Sequence, residues 1–295
     1  MKPKSLLSGL FRALGLSIIL CRQTMSTNIE TASFTTKQGG EVLSVEAPRP
    51  LDLGARTLAN QYHLLITYED PRYSYSADIV DRAPIVRTDY RTFPPGKAPT
   101  LFGPIGGNLS VSFTSTDAST MLQQLIQAQN ASPTGGRFQI ETTGSMYHLV
   151  PTQVRDANGN WDNQQSILDI PISIVRVSRT ANELLSSICE AVAQINLTTI
   201  NIATAAPRQT DEPPRYSFSA NSEPARNVLI RALTTIAPDQ GQLTWALYYD
   251  VQSRQYFMNF LPAPVTNPIS PSRVPQIQPQ SRPSASSNAS DMPPH

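Results

Sequence analysis

Apolar residues recur at helical spacing four times along this chain. Leu51, Ala55, Leu58, Ala59 and Tyr62 share one face, as do Ala118, Met121, Leu122, Leu125 and Ile126. Ala181, Leu185, Ile188, Cys189 and Val192 make a third stripe, and Ala225, Val228, Leu229, Ala232 and Leu233 a fourth. Steps of three, four and seven residues stay on one side of a 3.6-residue turn, so four amphipathic helices are predicted. Period-two alternation predicts strands around them. Leu43-Ser44-Val45 precedes the first helix and Leu64 to Tyr68 follows it; Ile172-Ser173-Ile174 and Ile200-Asn201-Ile202 flank the third. Val111-Ser112-Phe113 and Tyr216-Ser217-Phe218 precede the second and fourth, and each of these is followed by a hairpin-like pair of strands.

The helices pair across the chain. The third repeats the first at a constant offset of 130, and the fourth repeats the second at 107. Constant offsets over five positions, twice, are the signature of a repeat. The predicted fold is therefore α+β with two related halves in A-B-A′-B′ order. Each half carries two amphipathic helices packed on a mainly antiparallel or mixed sheet, and each small module needs its neighbour to close a core. Helix starts agree. Thr180 with Glu183 makes a capping box, Asp117 and Pro50 suit the second and first helices, and Ser222 with Pro224 reads as a cap for the fourth.

The halves occupy residues 41–151 and 170–262, joined by a connecting hairpin over 152–169, where Asn158-Gly159 is a turn signal. Residues 1–26 read as a signal peptide, with a charged start, an uninterrupted run from Ala13 to Cys21 and a possible cleavage site at Thr24-Met25-Ser26. The run is too short to span a bilayer. A periplasmic or secreted location is expected, and a cytoplasmic one if translation starts at Met25. Residues 27–40 read as a linker. Residues 263–295 are dominated by Pro, Ser, Asn and Gln and read as a disordered tail.

Composition narrows the function classes. The 295 residues include 26 prolines and only 15% charged residues. The net charge of +1 depends on Lys2, Lys4, Arg12 and Arg22; without those four, 19 basic residues face 22 acidic ones. Such a surface has no field for phosphates, so nucleic acid is not an expected partner. Cys21 and Cys189 cannot build a disulfide framework, and Cys189 falls on an apolar stripe where a buried thiol is inert.

No G-x-S-x-G, P-loop or H-E-x-x-H motif occurs. His63 and His148 have no partner at helical ligand spacing, so no metal is expected. The run Asp156 to Asp162 opens as a calcium loop does, but its glycine is misplaced and Ile167 stands where the bidentate Glu belongs. No catalytic residue and no cofactor site is assigned. A rival reading takes Glu69 and Asp70 with nearby Tyr68, Tyr73 and Tyr75 as a sugar-binding or glycan-active site.

One asymmetry points to binding. The first pair of helices begins 67 residues apart and the second pair 44 apart, and the excess of 23 falls in residues 81–108. That segment is rich in Pro and Gly and alternates charge with aromatic area. Arg87, Asp89, Tyr90, Arg91, Phe93 and Phe102 are the candidate partner-binding residues.

The pattern of a strand, the entry Ser222-Glu223-Pro224-Ala225-Arg226 into an apolar helix, and a hairpin resembles the short N-terminal domain of secretins and TonB-dependent receptors. The likeness covers two stretches of about 45 residues. The chain, with Val150 to Trp161 and Ser222 to Arg226, is also similar to a group of uncharacterised bacterial exported proteins. The resemblance implies small periplasmic αβ modules that bind partner proteins of a secretion or signalling machine. The expected role is a non-catalytic envelope adaptor with a protein partner.

Overall fold

The computed structural model describes residues 30–37, 40–86, 93, 94, 97, 99–204 and 213–264. The proposed signal peptide and nearly all of the Pro/Ser-rich tail lie outside the described residues. The architecture is mixed α+β, with four helices of at least 13 residues and 14 strands among the described residues.

The chain opens with a hairpin of β1 (Thr31–Lys37) and β2 (Gly40–Ala47). The linker expected over 27–40 therefore contains a strand. Phe34 anchors it by stacking on Phe113 at 5.9 Å and meeting Tyr62 edge-on at 6.2 Å. Then follow α1 (Pro50–Tyr62), β3 (Leu65–Glu69), β4 (Ile79–Asp81), the one-turn α2 (Ala83–Val86) and β5 (Phe102–Pro104). Next come β6 (Gly107–Phe113), α3 (Ala118–Asn130), β7 (Arg137–Thr143), β8 (Met146–Arg155) and β9 (Trp161–Asn163). The remainder is β10 (Pro171–Thr180), α4 (Ala181–Asn196), β11 (Ile200–Thr204), β12 (Arg215–Pro224), α5 (Ala225–Gln240), β13 (Leu243–Asp250) and β14 (Gln255–Pro262).

The strands sort into one long mixed sheet and small outer ones. The long sheet runs β11-β14-β13-β3-β8-β7, with β9 added on β8. Its centre is a parallel seam, β13 beside β3, with Ala246 opposite Tyr68 and Leu247 opposite Glu69. The outer sheets are β1-β2-β6 and β10-β12. The first core joins Leu43, Val45 and Phe113 of the outer sheet, the stripes of α1 and α3, and Tyr68, Phe138, Leu149 and Ala246 of the long sheet. The second core joins Phe218, the stripes of α4 and α5, and Trp245, Leu247, Tyr256 and Met258. Each helix pair is thus covered on both sides, not on one face as the sequence suggests. Side chains alternate across a strand, and Ala246 belongs to the first core while its neighbours Trp245 and Leu247 belong to the second. The two helix pairs consequently lie on opposite faces of the long sheet.

The helix starts follow local chemistry. The Thr180–Glu183 capping box forms in both directions, and the Asp117 carboxylate accepts from Thr120 N at 2.8 Å. Ser222 does not cap α5. It adopts φ 50, and the first amides of α5, Ala225 and Arg226, donate instead to the carbonyls of Ile170 and Leu168, both at 2.8 Å. The 156–162 run is a turn: the Asp156 carboxylate accepts from Asn158 N and Asn160 N, both at 2.9 Å.

Candidate functional site

The segment singled out for binding folds at its base into a two-stranded ribbon. β4 pairs antiparallel with β5, Val80 opposite Gly103. Asp81 ties the ribbon across by accepting from Leu101 N at 2.8 Å and Ala83 N at 3.0 Å. Asp78 anchors it to the body. Its buried carboxylate receives Arg155 Nε at 2.9 Å, a second close contact from the same guanidinium and Gly135 N at 3.3 Å. A bidentate pair of this kind fixes orientation as well as position. Arg155 also lies over the Tyr75 ring at 4.6 Å, and Arg137 lies over Trp161 at 4.3 Å.

Arg87, Asp89, Tyr90 and Arg91 lie outside the described residues. Phe93 is half-buried and partnered, and Phe102 is 41% exposed. Beside it stand Leu101 at 46% and Ile105 at 41%. Neither Leu101 nor Ile105 is aromatic or charged, so composition does not mark them as contact residues. Their signal was an apolar residue flanked by Pro and Gly in a loop with no helical or strand period. Under the ribbon lies a cavity of about 20 Å³, lined by Arg49, Tyr68, Tyr73, Gln129 and Thr134 among others. That is room for one water beside the partnerless Gln129 Oε1 and far below the size of a substrate site.

Glu69 and Asp70 are both brought into the seam where β3 meets β13 and sealed there. Glu69 Oε1 meets Arg226 Nη1 of α5 at 2.8 Å, and Ser166 Oγ donates to its other oxygen. Arg226 also reaches Asp169 at 2.6 Å and Glu141 at 3.6 Å. Asp70 receives Arg49 Nε at 2.6 Å, the Tyr68 hydroxyl at 2.7 Å and Tyr249 N at 2.9 Å. Burial pushes the Glu69 carboxyl up to about 7 against the opposing pull of Arg226. It raises Asp70 as well, against Arg49 and the donated hydrogen bonds. A glycan-cleaving pair needs an open cleft for sugar between its acids. These acids instead tie β3 to α5 through Arg226 and to β13 through the Tyr249 amide.

His148 is buried in the same seam. Its Nδ1 lies 2.8 Å from Thr67 Oγ1, its ring stacks on Trp245 of β13 at 5.6 Å, and Nε2 has no hydrogen-bond partner. Burial, reinforced by Arg226, pushes it down to about 4. His63 ends α1 in the left-handed region at φ 55 and is exposed. Cys189 is buried, which pushes its thiol up to about 12. Among the described residues, no group of three His, Cys, Asp or Glu side chains is placed to hold a metal, and no helix is long and apolar enough to cross a membrane. The second observation says nothing of a β-barrel. No family model, no curated protein and no solved structure matches the chain.

Proposed function

We propose that this protein is a non-catalytic binding module of the bacterial envelope, built by duplication of a small αβ unit and carrying its partner site on the β4–β5 ribbon. The observation that carries the binding reading is the exposure of three apolar residues within five positions, Leu101, Phe102 and Ile105, on a ribbon anchored through Asp78 and Asp81. Exposed patches on a rigid scaffold mark interaction sites. The sealing of Glu69 and Asp70 by arginines favours this reading over glycan chemistry.

Matching strand registers support the duplication. Ile66, Thr67 and Tyr68 lie opposite Tyr147, His148 and Leu149, while Ile200, Asn201 and Ile202 lie opposite Tyr256, Phe257 and Met258. The hairpins match too, with Ile140 opposite Leu149 and Leu247 opposite Met258. α1 and α4 both end on left-handed residues, His63 and Leu197, whose N–H groups donate to the carbonyls of Ala59 and Ala193. In this frame Ala203 and Thr204 stand where the first half has Glu69 and Asp70, so the charge clasp belongs to one seam only. The order of strand β12, helix α5 and hairpin β13-β14 fits the resemblance to secretin and TonB-receptor modules. The apolar run Ala13 to Cys21 supports export.

The test replaces residues 87–104 by a short Gly/Ser linker. The shortened protein should stay folded by circular dichroism and lose the protein that the wild type captures from an envelope extract. A shortened protein that does not fold would make the ribbon a structural cover. Turnover of a glycan library with no protein captured would restore the rival.

A further inference from the structure

The two halves differ at the outer edge of their small sheets. In the first half β2 is paired on both sides, by β6 and by the added strand β1. In the second half β10 holds the place of β2: it leads into the first helix of its half and pairs with the strand that leads into the second. Among the described residues nothing pairs with its other edge. Val175 is 75% exposed there and Val177 44%, although Val177 lies opposite the buried Phe218. An unpaired strand edge with exposed valines is a template for an incoming strand.

Charge selects the occupant. Arg176 and Arg179 lie on the strand itself, and Arg215 lies beside them on β12, against Glu183 as the nearest acid. A second copy's β10 would bring arginine against arginine, and arginines on an edge act against self-pairing. The chain's own outlying segments carry the wrong sign. Residues 1–29 hold four basic residues and no acid, and residues 265–295 hold Arg273 and Arg282 against Asp291.

We propose that the free edge of β10 binds an extended, acidic segment of a partner protein, which adds antiparallel as β1 does on β2. The proposal rests on the reading of this protein as a binding module, but on a different surface from the ribbon. The incoming strand covers Val177 with an apolar side chain on the face shared with Phe218 and sets a carboxylate on its other face against Arg176, which reaches Ser217, while Arg179 and Arg215 add positive charge at the end of the strand. Main-chain bonds give affinity in this mode, and the side chains give selection.

The probe is a fluorescein-labelled octapeptide of alternating Glu and Val, with alternating Lys and Val as its control, read by anisotropy on the full chain. The acidic peptide should bind at least tenfold tighter than the basic one, and hydrogen exchange should slow over residues 171–180. The double reversal Arg176→Glu and Arg179→Glu should invert the preference; if it does not fold, Arg176→Glu alone should weaken acidic binding severalfold. Replacement of the ribbon should leave this binding unchanged, so loss of the ribbon's partner and loss of this one are separable. Equal binding of both peptides, protection elsewhere, or a concentration-dependent dimer protected over 171–180 each overturns the proposal.

Discussion

Replacing Arg226 by Met separates the charge of the seam from its packing. The methionine keeps an apolar stem at the start of α5 and removes the guanidinium that neutralises Glu69. Both side chains are nearly fully buried, at 5% and 2% exposure, so solvent cannot take over the lost role. At pH 8 wild-type Glu69 is mostly ionised and paired, and stranding it costs about 3–5 kcal/mol. At pH 5 the acid is mostly protonated in the folded protein, and the loss shrinks to the remaining hydrogen bonds, about 1–2 kcal/mol. The sign follows from the raised pKa. A carboxyl lifted from its ordinary 4.5 to about 7 contributes stability that is present below 4.5 and lost as pH rises through 7. Without Arg226 that pKa moves higher still, so the variant should weaken further between pH 5 and pH 8 relative to wild type, by up to about 1.4 kcal/mol. Urea denaturation followed by far-UV circular dichroism at the two pH values reads the difference. Adding Glu69→Gln should remove most of the pH dependence. An equal cost at pH 5 and pH 8, or a double variant as pH-sensitive as Arg226→Met, would refute the reasoning.

Three further outcomes follow from the same geometry. His148, held down to about 4, contributes stability that is present above its ordinary 6.5 and lost as pH falls through 4; His148→Phe should therefore spare up to about 3 kcal/mol of acid destabilisation relative to wild type, measured by urea titration from pH 7 to pH 4. Phe is apt there because Phe257 holds the matching register on β14. Asp78→Ala leaves Arg155 and Gly135 N without their acceptor and should cost about 3 kcal/mol, with faster hydrogen exchange over residues 79–105 than over α1. Thr180→Ala removes one side of the capping box and should cost about 1 kcal/mol in thermal unfolding, with no change at the ribbon.

The helices were legible because each buries a single stripe. Leu185, Ile188, Cys189 and Val192 are all buried where the 3.6-residue period puts them, and the Thr180 box is a purely local device. The sheet was less legible. Nothing in Tyr68-Glu69 announces that this strand lies parallel to Ala246-Leu247 of β13, because alternation fixes the face of a strand and not its neighbour. Glu69 and Asp70 consequently read as available acids, when Asp70 is paired with Arg49 at the start of the preceding helix and Glu69 with Arg226 at a helix start remote in sequence. Arg226 gave one hint, a cation placed directly after Ala225 on the buried side of a first turn. The sequence of β1 does not stand out as a strand, because its Thr-rich alternation carries a single large apolar residue, Phe34. Ser222 failed as a cap because the carbonyls of Leu168 and Ile170 reach the helix start first. Of the six proposed contact residues, Phe93 and Phe102 fall within the described residues. Leu101 and Ile105 became candidates only through their exposure.

The most direct test of the binding reading places the photo-crosslinking residue p-benzoylphenylalanine at position 102, with the exposed Gln252 position as control, in cells that express the protein. Illumination should give one discrete adduct from position 102, identifiable by mass spectrometry, and none from position 252. No adduct at 102, or the same adducts from both positions, contradicts the assignment of the ribbon as a partner site.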